Sequence, residues 1–136
     1  TAYAAYAEEG TTKSGADTND GQNVMAQIVA DVGSVSIGYG EWYTNEENGG
    51  NDYSTTGMSI AFNVNDDLSI SYGELEDTKE AIGATAAVTT DVSSIQVAYS
   101  MGSMAVKAKR VETDNPYAQT TVTSDETTEI SVSFSF

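Results

Sequence analysis

The last seven residues, Ile130-Ser131-Val132-Ser133-Phe134-Ser135-Phe136, alternate an apolar side chain with a small polar one at every step. Successive side chains of a strand point to opposite faces of its sheet, so this run predicts a strand with one apolar and one hydroxyl-bearing face. A helix would scatter the same four apolar groups around its circumference. Met58-Ser59-Ile60-Ala61-Phe62-Asn63-Val64 and Leu68-Ser69-Ile70-Ser71-Tyr72 repeat the pattern, and weaker forms run through 24–32, 35–39 and 95–101.

The connections between these runs alternate in length. Gly33-Ser34, Asn65-Asp66-Asp67 and Gly102-Ser103 have the composition of tight hairpin turns. The segments 9–22, 45–54, 77–91 and 113–125 are long and polar. The expected strands are therefore 1–8, 23–32, 35–43, 55–64, 68–76, 92–101, 104–112 and 126–136, up and down in chain order. Strands of roughly 9 to 11 residues, with short turns at one end and long loops at the other, are the pattern of an antiparallel transmembrane β-barrel. A soluble sandwich would mix its loop lengths at both ends. The echo between Ser36-Ile37-Gly38-Tyr39-Gly40-Glu41 and Ser69-Ile70-Ser71-Tyr72-Gly73-Glu74 places two ascending strands at similar depth.

Composition removes most other classes. No apolar run reaches the roughly 18 residues of a spanning helix, and the first residues lack the basic-then-apolar pattern of a signal peptide. Thr1-Ala2-Tyr3-Ala4-Ala5-Tyr6 already reads as strand, which suggests a segment of a longer barrel. With no Cys and no His, thiolate chemistry and the commonest acid–base catalyst and metal ligand are missing. Neither a nucleophile elbow nor a phosphate-binding glycine loop is present, so no catalytic residue is assigned and an enzyme is not expected. Five basic residues against 21 acidic ones, a net charge of -16, repel phosphate and argue against a nucleic-acid partner. The acidic excess lies in and beside the long loops, at positions such as Glu8, Asp20, Glu46, Glu47, Glu80 and Asp125. Carboxylates there offer a cation-attracting mouth and possible loop sites for Ca²⁺ or Mg²⁺, although no loop has the spaced calcium motif and no cofactor is expected.

Strand parity sorts the remaining candidates. Met104, Val106 and Ala108 share the apolar side of their strand, which sends Lys107 and Lys109 to the other face, since a charge facing lipid near mid-membrane costs roughly 2 to 4 kcal/mol. Arg110 has lipid parity but lies where a long side chain reaches headgroups. Glu129, on the polar side of the last strand, is placed to pair with these lysines, and Gln96, Ser71 and Ser59 join them as pore-lining candidates. The polar-parity face is otherwise small: Gly38, Gly40, Ala61, Ser69, Gly73, Ala98, Ser131, Ser133 and Ser135. An eight-stranded barrel has an interior that side chains must fill, so small inward groups favour part of a wider barrel of roughly 16 strands. Trp42, Tyr43 and Tyr53 near the loops, with Phe134 and Phe136 at the other end, are candidates for interfacial girdles.

Three stretches, Asn65-Asp66-Asp67-Leu68-Ser69-Ile70-Ser71-Tyr72-Gly73, Tyr99-Ser100-Met101-Gly102-Ser103-Met104 and Thr128 through Phe136, give the chain from about residue 23 onward its likeness to a known family. It resembles the C-terminal half of alphaproteobacterial general diffusion porins. The resemblance implies that residues 1–136 are the C-terminal part of one outer-membrane barrel domain. That barrel would be a homotrimeric channel for small hydrophilic solutes and ions, in contact with outer-membrane lipid and lipopolysaccharide. It also implies that Ile130, Val132, Phe134 and Phe136 are the signal read by the barrel-assembly machinery. The constriction loop of such porins lies in the half not represented here. Two other readings stay open: a complete eight-stranded outer-membrane barrel with an adhesin or structural role, and a secreted acidic β-sandwich binding module.

Overall fold

The computed structural model describes residues 1–13, 16–45, 52–81, 86–118, 121 and 123–135. It contains eight strands: β1 (Ala2–Lys13), β2 (Ala16–Val32), β3 (Val35–Asn45), β4 (Tyr53–Asn63), β5 (Leu68–Lys79), β6 (Val88–Met101), β7 (Met104–Asp114) and β8 (Ser124–Phe134). A single turn of 3₁₀ helix, Pro116–Ala118, precedes β8. The strands form one sheet in chain order, each antiparallel to the next. The fold is all-β and up-and-down, as the alternation predicts.

The three short turns fall where expected. Gly33 and Gly102 take φ of +63° and +60°, the left-handed conformation that lets a two-residue hairpin follow the twist of its strands. In the second turn, 65–67, the Asn65 side chain replaces glycine: its Oδ1 accepts the backbone N–H of Asp67 and of Leu68, both at 2.9 Å.

The long-connection ends depart from expectation, most of all at 9–22. β1 and β2 stay paired from Ala2↔Ile28 out to Lys13↔Ala16, with one irregularity between Glu9 and Thr11. Most of the expected first loop is therefore a hairpin arm. In this polar stretch the two-residue alternation disappears while backbone pairing continues. The fourth connection also has structure. Asn115 Nδ2 donates to the Thr89 carbonyl at 3.0 Å, and Thr90 Oγ1 donates to the Asn115 carbonyl at 2.8 Å, which ties the Pro116–Ala118 turn back onto β6.

Pairing register divides every strand between two faces. One contains Ile28, Tyr39, Ile60, Ile70, Val97, Val106 and Val132, and the other contains Gly38, Ser59, Ser71, Gln96, Lys107 and Ser131. No hydrophobic side chain among the described residues is buried. Every large exposed hydrophobic group on a strand lies on the first face except Leu75. On β2 and β3 the small-residue face is the sheltered one: along β2, Asn23, Met25, Gln27 and Val29 are half-covered while Val24, Ala26, Ile28 and Ala30 are exposed, and on β3 Gly38 and Gly40 are buried. On β7 the order reverses, with Met104, Val106 and Ala108 half-covered and Lys107 exposed. Among the described residues, nothing packs on the apolar face. β1 and β8 are the two edges, and among the described residues they do not pair with each other, so the sheet is open.

Candidate functional site

All six pore-lining candidates share the small-residue face, and register joins four of them in one row. Ser71 pairs with Gln96, Gln96 with Lys109, and Lys109 with Glu129. At the end of that row Lys109 Nζ lies 3.2 Å from Glu129 Oε2. Both side chains are well exposed, so the pair contributes at most about 1 kcal/mol. Its main consequence is local neutralisation. One step toward the short turns, Lys107 pairs with Ala98 and Ser131 and is exposed. Ser59 lies farther along the face, opposite Gly38 and Gly73.

Trp42 belongs to this face too, which corrects its assignment to an interfacial girdle. Its indole covers two glycines of the same face: a Cβ on Gly40 would lie 2.8 Å from Trp42 Cη2, and one on Gly57 would lie 3.1 Å from Cζ3. The absence of those two side chains makes the recess in which the ring lies. Tyr53 pairs with Thr44 on the same face, so of the three loop-side aromatics only Tyr43 is on the apolar side. Two aspartates of this face, Asp31 on β2 and Asp77 on β5, accept hydrogen bonds from neighbouring hydroxyls, those of Ser36 and Thr55, each at 2.5 Å.

The apolar face is organised as an oblique band. On β3 and β4 its first polar residues toward the long connections are the registered pair Glu41↔Thr56. On β5 and β6 they are Glu74↔Ser93, and on β7 and β8 they are Arg110↔Thr128. The ladder row through Glu41 and Thr56 continues to Glu76, Asp91 and Asp114, so the boundary falls two residues behind at Glu74 and four behind at Arg110. The short turns fall back equally. The row of the last β2–β3 pair, Val32↔Val35, reaches β6 at Val97, four residues before the Met101↔Met104 pair that closes the third turn.

Band and turns thus step together by one residue per strand. With a rise of about 3.3 Å per residue and strands about 4.8 Å apart, that step tilts the strands by about 35° from the normal to the band. The step also explains the sequence echo. Tyr39 and Tyr72 reach the same edge of the band, and each donates its hydroxyl to the glutamate that follows it on that face, Glu41 and Glu74, at 2.5 Å.

Arg110 lies at this edge, but its guanidinium bonds to neighbouring carboxylates, to Glu112 Oε1 at 2.5 Å and to Glu126 Oε2 at 2.8 Å. The assembly-signal candidates Ile130, Val132 and Phe134 form the β8 part of the band and are 70%, 53% and 59% exposed. Phe136 lies outside the described residues, as do Glu46 and Glu47 among the candidate cation ligands. Among the described residues, no group of three or more acidic side chains is arranged to hold a metal ion. No described helix is long and apolar enough to cross a membrane, which has no bearing on crossing by strands.

No protein-family model matches the chain, and neither the curated proteins nor the solved structures gave a match to it.

Proposed function

We infer that the chain is part of the wall of an outer-membrane channel, with the apolar band against lipid and the small-residue face against a water-filled pore that passes small hydrophilic solutes. The observation that carries this reading is the unpartnered band and its regular step. A soluble sheet exposes no contiguous apolar face of this extent unless a second layer or a partner covers it. It also has no reason to hold the edge of that face parallel to a line through its turns. A bilayer imposes both conditions, and the strand tilt of about 35° lies at the lower end of the 35 to 45° range of membrane barrels.

The edges point to a larger closed structure. Ile130, Val132 and Phe134 place β8 inside the band, where unpaired backbone N–H and C=O groups each cost several kcal/mol, so β8 needs a further strand beside it. β1 runs toward the long connections and β8 away from them. Closure by alternating strands then requires an even number between these edges. The glycines and serines of the inner face suit a wide lumen of roughly 16 strands better than a closed eight-stranded interior, which side chains must fill. The porin resemblance supports the same assignment, and with it outer-membrane lipid, lipopolysaccharide and a trimeric assembly as surroundings.

Planar-bilayer recording on the full-length protein tests the reading. Stepwise conductance increments proportional to salt concentration are expected. A correctly inserted protein that gives no increments rejects the channel.

A further inference from the structure

On the apolar side the band is centred at Ile37 on β3, Ile60 on β4, Ile70 on β5 and Val106 on β7, once the one-residue step is followed. The inner-face residues at that depth are uncharged on nearly every strand: Gly38, Ser59, Ser71, Ala98 and Ser131 are typical. Lys107, between Val106 and Ala108, is the exception from β3 to β8. Among the described residues no carboxylate lies within ion-pairing distance of it, whereas Lys109 is matched by Glu129. The carboxylates bonded to Tyr39, Tyr72 and Arg110 lie at or beyond the band's edge on the apolar face, opposite to Lys107.

We propose that Lys107 is the residue of this wall that sets its ion preference, acting at mid-depth as a contact point for small anionic solutes such as carboxylates and phosphates. The proposal rests on the channel reading. A fixed charge acts most strongly on a passing ion where hydrocarbon flanks the water column, because the low dielectric behind the wall leaves the field little to polarise. At the wide, wet loop end, salt screens charges over about 10 Å. The overall acidity of the chain therefore does not cancel a lone cation at mid-depth. Ser131 and Ser69, in the same row as Lys107, supply hydroxyl donors suited to an oxyanion.

The test is the reversal potential of the full-length channel under a KCl gradient. Lys107→Gln should raise the cation-to-anion permeability ratio by about twofold and Lys107→Glu by more, since charged side chains that line a pore set its ion preference. Arg110→Gln removes the same charge from the opposite face and should leave the potential unchanged. Open channels whose potential is unmoved by both Lys107 variants overturn the proposal, and so does an Arg110→Gln shift as large as that of Lys107→Gln. Absence of conductance in the unmodified protein overturns the channel reading itself, an outcome distinct from conductance with unaltered selectivity.

Discussion

Ser59 and Ile60 are adjacent in sequence and point into what we propose are different solvents. Ile60 lies in a row with Ile37 and Tyr72, all exposed and apolar, while Ser59, also exposed, lies between Gly38 and Gly73 on the small-residue face. The two faces teach opposite lessons about cover. In a water-soluble protein the apolar side is the buried side, and here the apolar side is the bare one. On the channel reading we propose, the cover of the apolar side is lipid and the polar face needs room more than packing.

The largest predicted effect comes from placing the same charge on each face. Ile60→Arg should destabilise the folded protein in lipid by roughly 2 to 4 kcal/mol, the cost of a cation near the bilayer midplane. Ser59→Arg, one residue away, should cost far less, because its guanidinium enters water. Equilibrium folding into vesicles measures both. Equal penalties would break the distinction between the faces.

Trp42 sharpens the comparison, since it is a large aromatic group on the otherwise small-residue face. It is the single tryptophan of residues 1–136, so in a background with any tryptophan outside them replaced its emission reports on its recess directly. Gly40→Ala puts a methyl group where the ring lies and should shift the emission to the red, with a stability loss of about 1 kcal/mol, the scale of a cross-strand aromatic contact. Unchanged emission would show that the ring does not rest on the glycines.

What the sequence revealed has one physical boundary. Hydrophobic alternation reports only where the two faces of a strand differ in polarity, so all eight strands and the placement of Lys107, Lys109 and Glu129 on the small-residue face were legible inside the band. Beyond it the signal fades. The extension of β1 to Lys13 and of β2 back to Ala16, in polar sequence without alternation, reads as loop. The placement of Trp42 was available by a parity count from Gly38 through Gly40, but proximity to the loop suggested a girdle. The one-residue step was not legible, because it depends on the register between strands, which no single strand encodes. Arg110's bonds to Glu112 and Glu126 likewise depend on β7–β8 pairing, since Glu126 is distant in sequence.

The central claim, that one face of this sheet meets lipid and the other meets water, is tested most directly by nitroxide labels placed singly along β6 from Ser94 to Met101 in the full-length protein reconstituted in bilayers. The account predicts that labels at Ile95, Val97, Tyr99 and Met101 collide preferentially with oxygen dissolved in lipid. Labels at Ser94, Gln96, Ala98 and Ser100 should collide preferentially with a water-soluble nickel chelate, giving two opposite oscillations of period two. Nickel accessibility that is equal at all eight positions, or that follows the oxygen pattern in phase, would contradict it.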